Sequence, residues 1–313
     1  MRFSVVIPVY NREQYIKESI NSVFAQTFID FELIVMDDGS TDGTADAIAS
    51  YGPRLKAMSQ ANSGSEQARY HAAKYAQGEY LVFLDSDDIL CSRALETYDR
   101  IIRECGAPPL IIATWITFWD GSNLPSEVAA DAGSIEVSVY RDFFSKDVKM
   151  SLSNSLIIIE KQAFNKLEGA RERSSPDSLL DDFHLCFQAG TLSPCVVIRR
   201  PLTLAYRRHS GNIHQNGRAM LSSILFLMEH EHRGRYPGGK SRQKERYLWI
   251  GSIGLHWIRK WLAVGSLELI YPLLRPGAAM LGVAGFKKLA SQIAPVRPEP
   301  SRVLLESVKS LSA

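Results

Sequence analysis

Over residues 1–115, short and continuously apolar runs alternate with stretches whose apolar residues recur at helical spacing. The runs at 3–10, 31–36, 80–84 and 110–115 read as strands, with a weaker one at 55–60. Between them, Ile16, Ile20, Val23, Phe24 and Phe28 recur at helical spacing, as do Ala68, Ala72, Ala73 and Ala76, and then Leu95, Tyr98, Ile101 and Ile102. Strands without a polar face must be covered on both sides, which predicts a mostly parallel sheet flanked by helices. Ligands of such sheets bind beyond the carboxyl ends of the strands. Two acidic clusters fall there, Asp37-Asp38 and Asp85-Ser86-Asp87-Asp88. Asn11 with Gln14 predicts a capping box, and Ser92 a further helix cap.

The remainder is less regular. Residues 121–133 read as a loop, 155–159, 195–198 and 202–206 as strands, and 181–188 as the start of a helix. After about residue 216 the chain turns helical, with a basic stretch from Arg233 to Arg246 and then Trp249, Trp257 and Trp261 among further cations. Basic residues beside indoles suit a membrane interface, a subunit contact or a packed helical appendage. The expected division is a catalytic unit over 1–215, itself split at 115/116, and a helical region over 216–313.

Composition narrows the classes. A net charge of +2 from 36 basic and 34 acidic residues argues against a dedicated nucleic-acid binder. Cys91, Cys105, Cys186 and Cys195 form no Cys-x-x-Cys pair, which disfavours zinc fingers and thiol redox motifs. The amino-terminal apolar run is too short for a signal peptide. No uncharged apolar stretch reaches the ~18 residues of a membrane span. A cytoplasmic protein, in reach of the inner membrane face through its basic-aromatic region, is the expectation.

Three carboxylates at one strand end repel one another unless a cation offsets them. Oxygen ligands suit Mg²⁺ or Mn²⁺, which often share their shell with a diphosphate. A solvated turn with acidic helix caps is the plainer alternative for either cluster. No Gly-x-Gly-x-x-Gly loop follows the first strand and no P-loop occurs. A phosphate held here therefore needs another device, and a metal on carboxylates supplies one.

The ordered series Val5-Val6-Ile7-Pro8-Val9-Tyr10-Asn11, Ser22 to Phe28, Asp37-Asp38-Gly39-Ser40-Thr41, Asn62-Ser63-Gly64, Ala68-Arg69 and Phe83 to Asp88 resembles glycosyltransferase family 2. The match is dense over residues 1–110 and thinner to about 215. The resemblance implies a GT-A-like fold with a helical carboxyl-terminal appendage. It implies a nucleotide-sugar donor, with UDP expected, and Mn²⁺ or Mg²⁺ as cofactor. Pro8, Tyr10 and Asn11 would line the nucleotide pocket, Asp38 would bind the base, and Arg69, Asp85 and Ser86 would complete the donor site. Asp87 would be the main metal ligand, with Asp88 adjacent. Asp181-Asp182 resembles the acidic pair that opens an acceptor-side helix, with Asp182 the base by register, Asp181 the fallback and Asp177 a third choice. Tyr206-Arg207-Arg208-His209 resembles the stretch after the family's last core strand, where His209 would reach the metal or diphosphate and Arg207 would offset negative charge.

Two departures matter. Gln188 stands where many members carry an arginine, and the Gln-x-x-Arg-Trp motif of processive synthases is absent. The expected reaction is a metal-dependent, inverting transfer to a hydroxyl of a saccharide or lipid-linked glycan. A nucleotide-binding protein without turnover is the rival reading. A nucleotidyltransferase is disfavoured, because Pro8-Val9-Tyr10-Asn11 is no glycine-rich loop.

Overall fold

A computed structural model describes residues 1–128, 134–145, 152–167, 179–209, 216–293 and 302–304. The strands are β1 (Phe3–Val9), β2 (Phe31–Asp37), β3 (Lys56–Ser59), β4 (Tyr80–Phe83), β5 (Ile89–Leu90), β6 (Leu110–Ile112), β7 (Trp115–Trp119), β8 (Glu136–Tyr140), β9 (Ile157–Glu160), β10 (Cys195–Arg200), β11 (Leu204–Arg208) and β12 (Arg302–Leu304). The helices are α1 (Ile16–Phe24), α2 (Thr44–Ala49), α3 (Ser65–Lys74), α4 (Ala94–Glu104), α5 (Lys161–Asn165), α6 (Asp181–Gln188), α7 (Gly217–His232), α8 (Gln243–Ala263) and α9 (Tyr271–Ile293).

Nine strands form one sheet in the order β12-β8-β10-β6-β9-β4-β1-β2-β3. The pairings β4-β1, β1-β2, β2-β3 and β6-β10 are parallel. Only β8 and β9 run against the rest. Side chains alternate across β1: Phe3, Val5, Ile7 and Val9 join one core and Val6 the other. The first core takes Ile16, Ile20 and Val23 of α1 and Leu95, Tyr98 and Ile101 of α4. The second takes Ala68, Ala72 and Ala73 of α3. Alanines there let α3 lie close to the sheet, and Gly78 continues the close approach. A Cβ at Gly78 would stand 2.5 Å from the Phe3 carbonyl carbon and the Ser4 nitrogen.

The apolar run at 110–115 is shared between two sheets rather than forming one strand. Ala113 N donates to Leu156 O and Thr203 N to Thr114 O, so the chain leaves the large sheet after β6 and enters a smaller one as β7. That smaller sheet has the order β5-β11-β7 and stands at the exit of the Asp85–Asp88 turn. Both helix caps expected from the sequence are also corrected. Asn11 adopts a left-handed backbone (φ 50°), α1 starts at Ile16, and Arg93 rather than Ser92 precedes α4. Asn tolerates that conformation because its short amide can bond locally. Here Asn11 Oδ1 accepts from Thr41 N at 2.8 Å, tying the loop after β1 to the loop after β2.

Helices α7, α8 and α9 share the α3-side core. Ile224, Leu227, Trp249, Ile253, Leu273 and Met280 belong to the same apolar cluster as Phe83, Phe183 and Phe187. Trp249 stacks on Phe143 with ring centroids 4.9 Å apart. Gly251 admits the close crossing of α8 and α9, since a Cβ there would lie 2.0 Å from Met280 O. A buried ion pair joins Arg246 to Glu231, whose side chains are 3% and 1% exposed. Arg246 also donates to Pro237 O at 2.8 Å and Gly239 O at 2.9 Å. Glu231→Ala leaves that guanidinium buried without its counter-charge, a loss of about 3–5 kcal/mol. Thermal unfolding should show a melting temperature lower by roughly 10 °C. A shift within experimental error would mean the pair does not anchor α7 to α8.

Candidate active site

The carboxyl ends of β1, β2 and β4 converge because they are adjacent and in register. Asp38 N donates to Val9 O at 2.8 Å, and Leu84 N to Val6 O at 3.0 Å. Beyond these ends lies a cavity of about 510 Å³. Its walls include Pro8, Tyr10, Asp38, Arg69, Asp85, Ser86 and Asp87, which the family resemblance implies for the donor and metal site, and both Asp181 and Asp182 from the far side. Asn11 and Asp88 are not on its wall.

Asp37 and Asp38 divide their work. Asp37 Oδ1 accepts from Ser40 N (2.9 Å) and Ser40 Oγ (2.5 Å), closing the turn after β2. Asp38 accepts from Gln60 Nε2 at 2.7 Å, Ser63 N at 2.9 Å and Gly64 N at 2.8 Å. It thereby fixes the 60–64 loop and the entry to α3 while facing the cavity. A carboxylate offers about four acceptor sites, so Asp38 keeps acceptor capacity beyond these three bonds.

The second acidic cluster separates into three roles. Asp85 accepts from Arg69 Nη2 at 3.2 Å and Ser153 Oγ at 3.1 Å. Burial pushes its carboxyl up, Arg69 pulls it down, and Asp87 pushes it up again. Asp88, expected beside the metal, turns into the fold instead: it is 0% exposed and accepts from Ser155 Oγ at 2.7 Å and Arg207 N at 3.1 Å. Burial first, then Asp87 and Asp85, push its carboxyl well above the ordinary range, and its bond from Arg207 N clamps β11. Asp87 remains at the cavity edge. Its Oδ2 lies 3.0 Å from His209 Nε2 and 3.6 Å from Arg12 Nε.

The 3.0 Å contact is a direct hydrogen bond between the two side chains, and the same separation is compatible with a shared cation. Two adjacent ligands of an octahedral ion with bonds of about 2.1 Å stand about 3.0 Å apart. Among the described residues no group of three or more His, Cys, Asp or Glu side chains is arranged to hold an ion. Mg²⁺ commonly takes only one or two protein ligands and completes its shell with phosphate and water. Asp87 and His209 therefore fit a cation shared with a diphosphate.

Arg207 is spoken for. It bonds to Glu18 (2.6 Å), Asp120 (3.2 Å) and Asp87 O (2.9 Å), and it does not line the cavity. Gln188 is buried at the end of α6, with no partner for Nε2 among the described residues. Asp177 and residues 210–215 lie outside the described residues.

The acidic pair at the start of α6 is resolved by its partners. Asp181 Oδ2 accepts from Arg69 Nη1 at 2.9 Å. Arg69 is 5% exposed and bridges Asp181 to Asp85, joining the two halves of the site. Burial works against its charge, but Asp181 and then Asp85 more than restore it. Asp182 has no such cation among the described residues. Its Oδ1 accepts the Phe183 N–H at 2.7 Å. Burial, then Asp181, push its carboxyl up to about 8.

A second cavity, of about 570 Å³, adjoins the first. Leu152, Ser153, Leu179, Asp182 and Tyr206 belong to both walls. Asp182 thus stands where two chambers meet. His209 lies on the second wall. Sequence reasoning missed Arg12, Ser153, Ser155 and Tyr206. Tyr206 sits within a stretch already singled out and Arg12 directly follows one, whereas the serines precede β9 with no motif to mark them.

Residues 4–98 match the family model described as glycosyl transferase family 2. Glycosyltransferase GlyG of Streptococcus pneumoniae serotype 4 is 29% identical over 223 residues, 67% of this chain and 72% of that protein. The poly(ribitol-phosphate) beta-N-acetylglucosaminyltransferase TarS of Staphylococcus aureus is 38% identical over 118 residues, 36% of this chain and 21% of that enzyme. This chain therefore aligns with about a fifth of the length of TarS. The crystal structure of S. aureus TarS 1-349 in complex with UDP-GlcNAc superposes with a TM-score of 0.58 at 20% identity, covering 97% of this chain and 96% of that one. That likeness establishes the shared fold.

Proposed function

The chain belongs to glycosyltransferase family 2, whose signature occupies residues 4–98, and we propose that it moves a sugar from a UDP-sugar to a hydroxyl of a saccharide or lipid-linked glycan with inversion. One observation carries this reading: Asp182, a buried carboxyl with no cation partner among the described residues, stands on the wall common to two cavities. The first cavity takes the donor. Tyr10 and Pro8 flank the nucleotide, Asp38 accepts from the base, and Asp85 and Ser86 face the ribose and diphosphate side. Arg69 holds Asp181 and Asp85 in place, so Asp181 is a positioning residue and Asp182 the base.

The chemistry follows from that division. Asp182 takes the proton of the acceptor hydroxyl as its oxygen attacks the anomeric carbon, while the bond to the nucleoside diphosphate breaks on the opposite face. A carboxylate with a pKa near the working pH suits proton abstraction better than one locked to Arg69. Mn²⁺ or Mg²⁺ on Asp87 and His209, when bound, would offset the charge growing on the leaving diphosphate. The two chambers hold the reacting groups in line, which removes much of the entropic cost of meeting.

Among the described residues no helix is long and apolar enough to cross a membrane. Leu262, Val264, Leu267 and Tyr271 are exposed where α8 ends and α9 begins, with Arg259 and Arg275 near them in sequence. Peripheral contact with the inner face of a membrane, or with a second subunit, would use this surface.

A thermal-shift panel tests the donor assignment. UDP should raise the melting temperature only with Mn²⁺ or Mg²⁺ present, and a UDP-sugar should be slowly hydrolysed without acceptor. Stabilisation by UDP without turnover of any nucleotide sugar would leave a silent binding protein; indifference to nucleotides would overturn the reading altogether.

A further inference from the structure

The second cavity has walls unlike the first. Three indoles reach it: Trp115 and Trp119 from β7, and Trp257 from α8. Trp119 is 64% exposed, although apolar side chains of its size are usually covered. An indole face is a flat apolar platform that a sugar ring's C–H face can cover, leaving its hydroxyls free to bond elsewhere. Two long cationic side chains share the wall with these platforms. The Arg208 guanidinium lies 5.6 Å from the Trp119 ring centroid, and Lys260 Nζ lies 4.3 Å from that of Trp257.

Neither cation has a carboxylate within ion-pair distance among the described residues. Arginines that support the first cavity are otherwise placed: Arg69 holds two aspartates and Arg207 holds Glu18 and Asp120. Among the described residues Asp182 is the single carboxylate on the second wall, and it sits at the junction with the donor cavity. A chamber with two such cations, apolar stacking faces and one acid reserved for proton removal is complementary to a ring-bearing anion. Both cations are exposed, so a neutral glycan would leave them to solvent, whereas an anionic one would supply the counter-charge that they lack among the described residues.

We propose that this chamber is the acceptor site and that the acceptor is an anionic saccharide, its rings stacked on Trp119 and Trp257 and its phosphate or carboxylate groups met by Arg208 and Lys260. The proposal rests on the glycosyltransferase reading and narrows its substrate class. It also gives α8 a direct part in acceptor choice: the carboxyl-terminal helices build one wall of the site. Phosphate and carboxylate share the chemistry these side chains recognise, and the experiment separates them.

The protein saturated with UDP and Mn²⁺ is titrated with tetragalacturonate, a phosphorylated mannopentaose and neutral maltopentaose, and quenching of tryptophan fluorescence is read. At least one acidic ligand should bind about tenfold tighter than the neutral one, a difference of about 1.4 kcal/mol. The acidic ligand that binds identifies the anionic group. Raising salt from roughly 50 to 500 mM should weaken only the acidic ligands, because exposed charge pairs are screened. The double variant Arg208→Gln/Lys260→Gln should lower acidic binding to the neutral level, while Trp257→Ala should weaken whichever ligands bind. Near-ultraviolet circular dichroism checks that the variants fold, and the salt series needs no variant. Neutral binding as tight as acidic binding, or acidic binding unmoved by salt and by the double variant, would overturn the proposal. Failure of the unsubstituted protein to take up UDP would instead strike the donor assignment.

Discussion

Asp182→Asn is expected to stop sugar transfer and, at the same time, to make the ligand-free protein more stable. Loss of a positioned general base costs on the order of 10²- to 10⁴-fold in turnover. UDP binding should persist, because Asp38, Asp85 and Asp87 are untouched. The stability gain follows from the carboxyl's raised pKa. Its ordinary value is 3.8, and burial followed by Asp181 carries it to about 8. Below the ordinary value both folded and unfolded chains hold the proton, and the group has no effect. Between the two values the unfolded chain gives up the proton that the folded chain retains, so folding is opposed by about 1.4 kcal/mol more for each pH unit. Above about 8 the penalty is complete. The melting temperature of Asp182→Asn should therefore match the unsubstituted protein near pH 4 and exceed it increasingly toward pH 8. Transfer by the unsubstituted protein should rise with pH over the same interval, since only the ionised form accepts a proton. A variant that keeps normal turnover, or one less stable than its parent at pH 8, would show that Asp182 is a structural acid.

Much of this arrangement is legible in the sequence because it depends on local order. A strand buried on both faces must be apolar throughout, and its first polar residue marks where the sheet ends. That rule put Asp38, Asp85 and Asp87 beyond strand ends, and the resemblance added Pro8 and Tyr10; the structure has all five on one cavity wall. It does not tell adjacent acids apart. Asp88 and Asp87 differ only in which way the turn points them, and that is decided by Ser155 and the Arg207 N–H, distant in sequence. The same holds for Asp181 and Asp182, which Arg69 separates from across the site. Asn11 had the composition of a helix cap, but its bond to Thr41 N draws it into a left-handed turn. The second chamber was the least visible part. Trp115, Trp119, Trp257 and Lys260 come from β7 and α8, which only tertiary packing brings together.

Asp87→Asn should separate donor binding from proton abstraction. In the unsubstituted protein burial raises the carboxyls of both Asp88 and Asp85, and the Asp87 charge crowded into the same turn raises them further. A cation relieves that crowding, so its binding should stabilise the fold by RT ln(1 + [M]/Kd), about 2.7 kcal/mol at a hundredfold excess over Kd. The amide of Asn keeps the size of the side chain and removes the charge. Mn²⁺ and Mg²⁺ should then no longer raise the melting temperature, UDP should lose its metal-dependent affinity, and turnover should fall by at least roughly 100-fold. The signature differs from that of Asp182→Asn, which leaves metal-dependent UDP binding in place. His209→Ala provides the matching arm, since the same ion would lose its nitrogen ligand while Asp87 keeps Arg12 at 3.6 Å. If Asp87→Asn retained its full thermal response to Mn²⁺ in the presence of UDP, the cation would have to sit elsewhere. The 3.0 Å approach of Asp87 to His209 would then be only a hydrogen bond that fastens the end of β11 to the acidic turn.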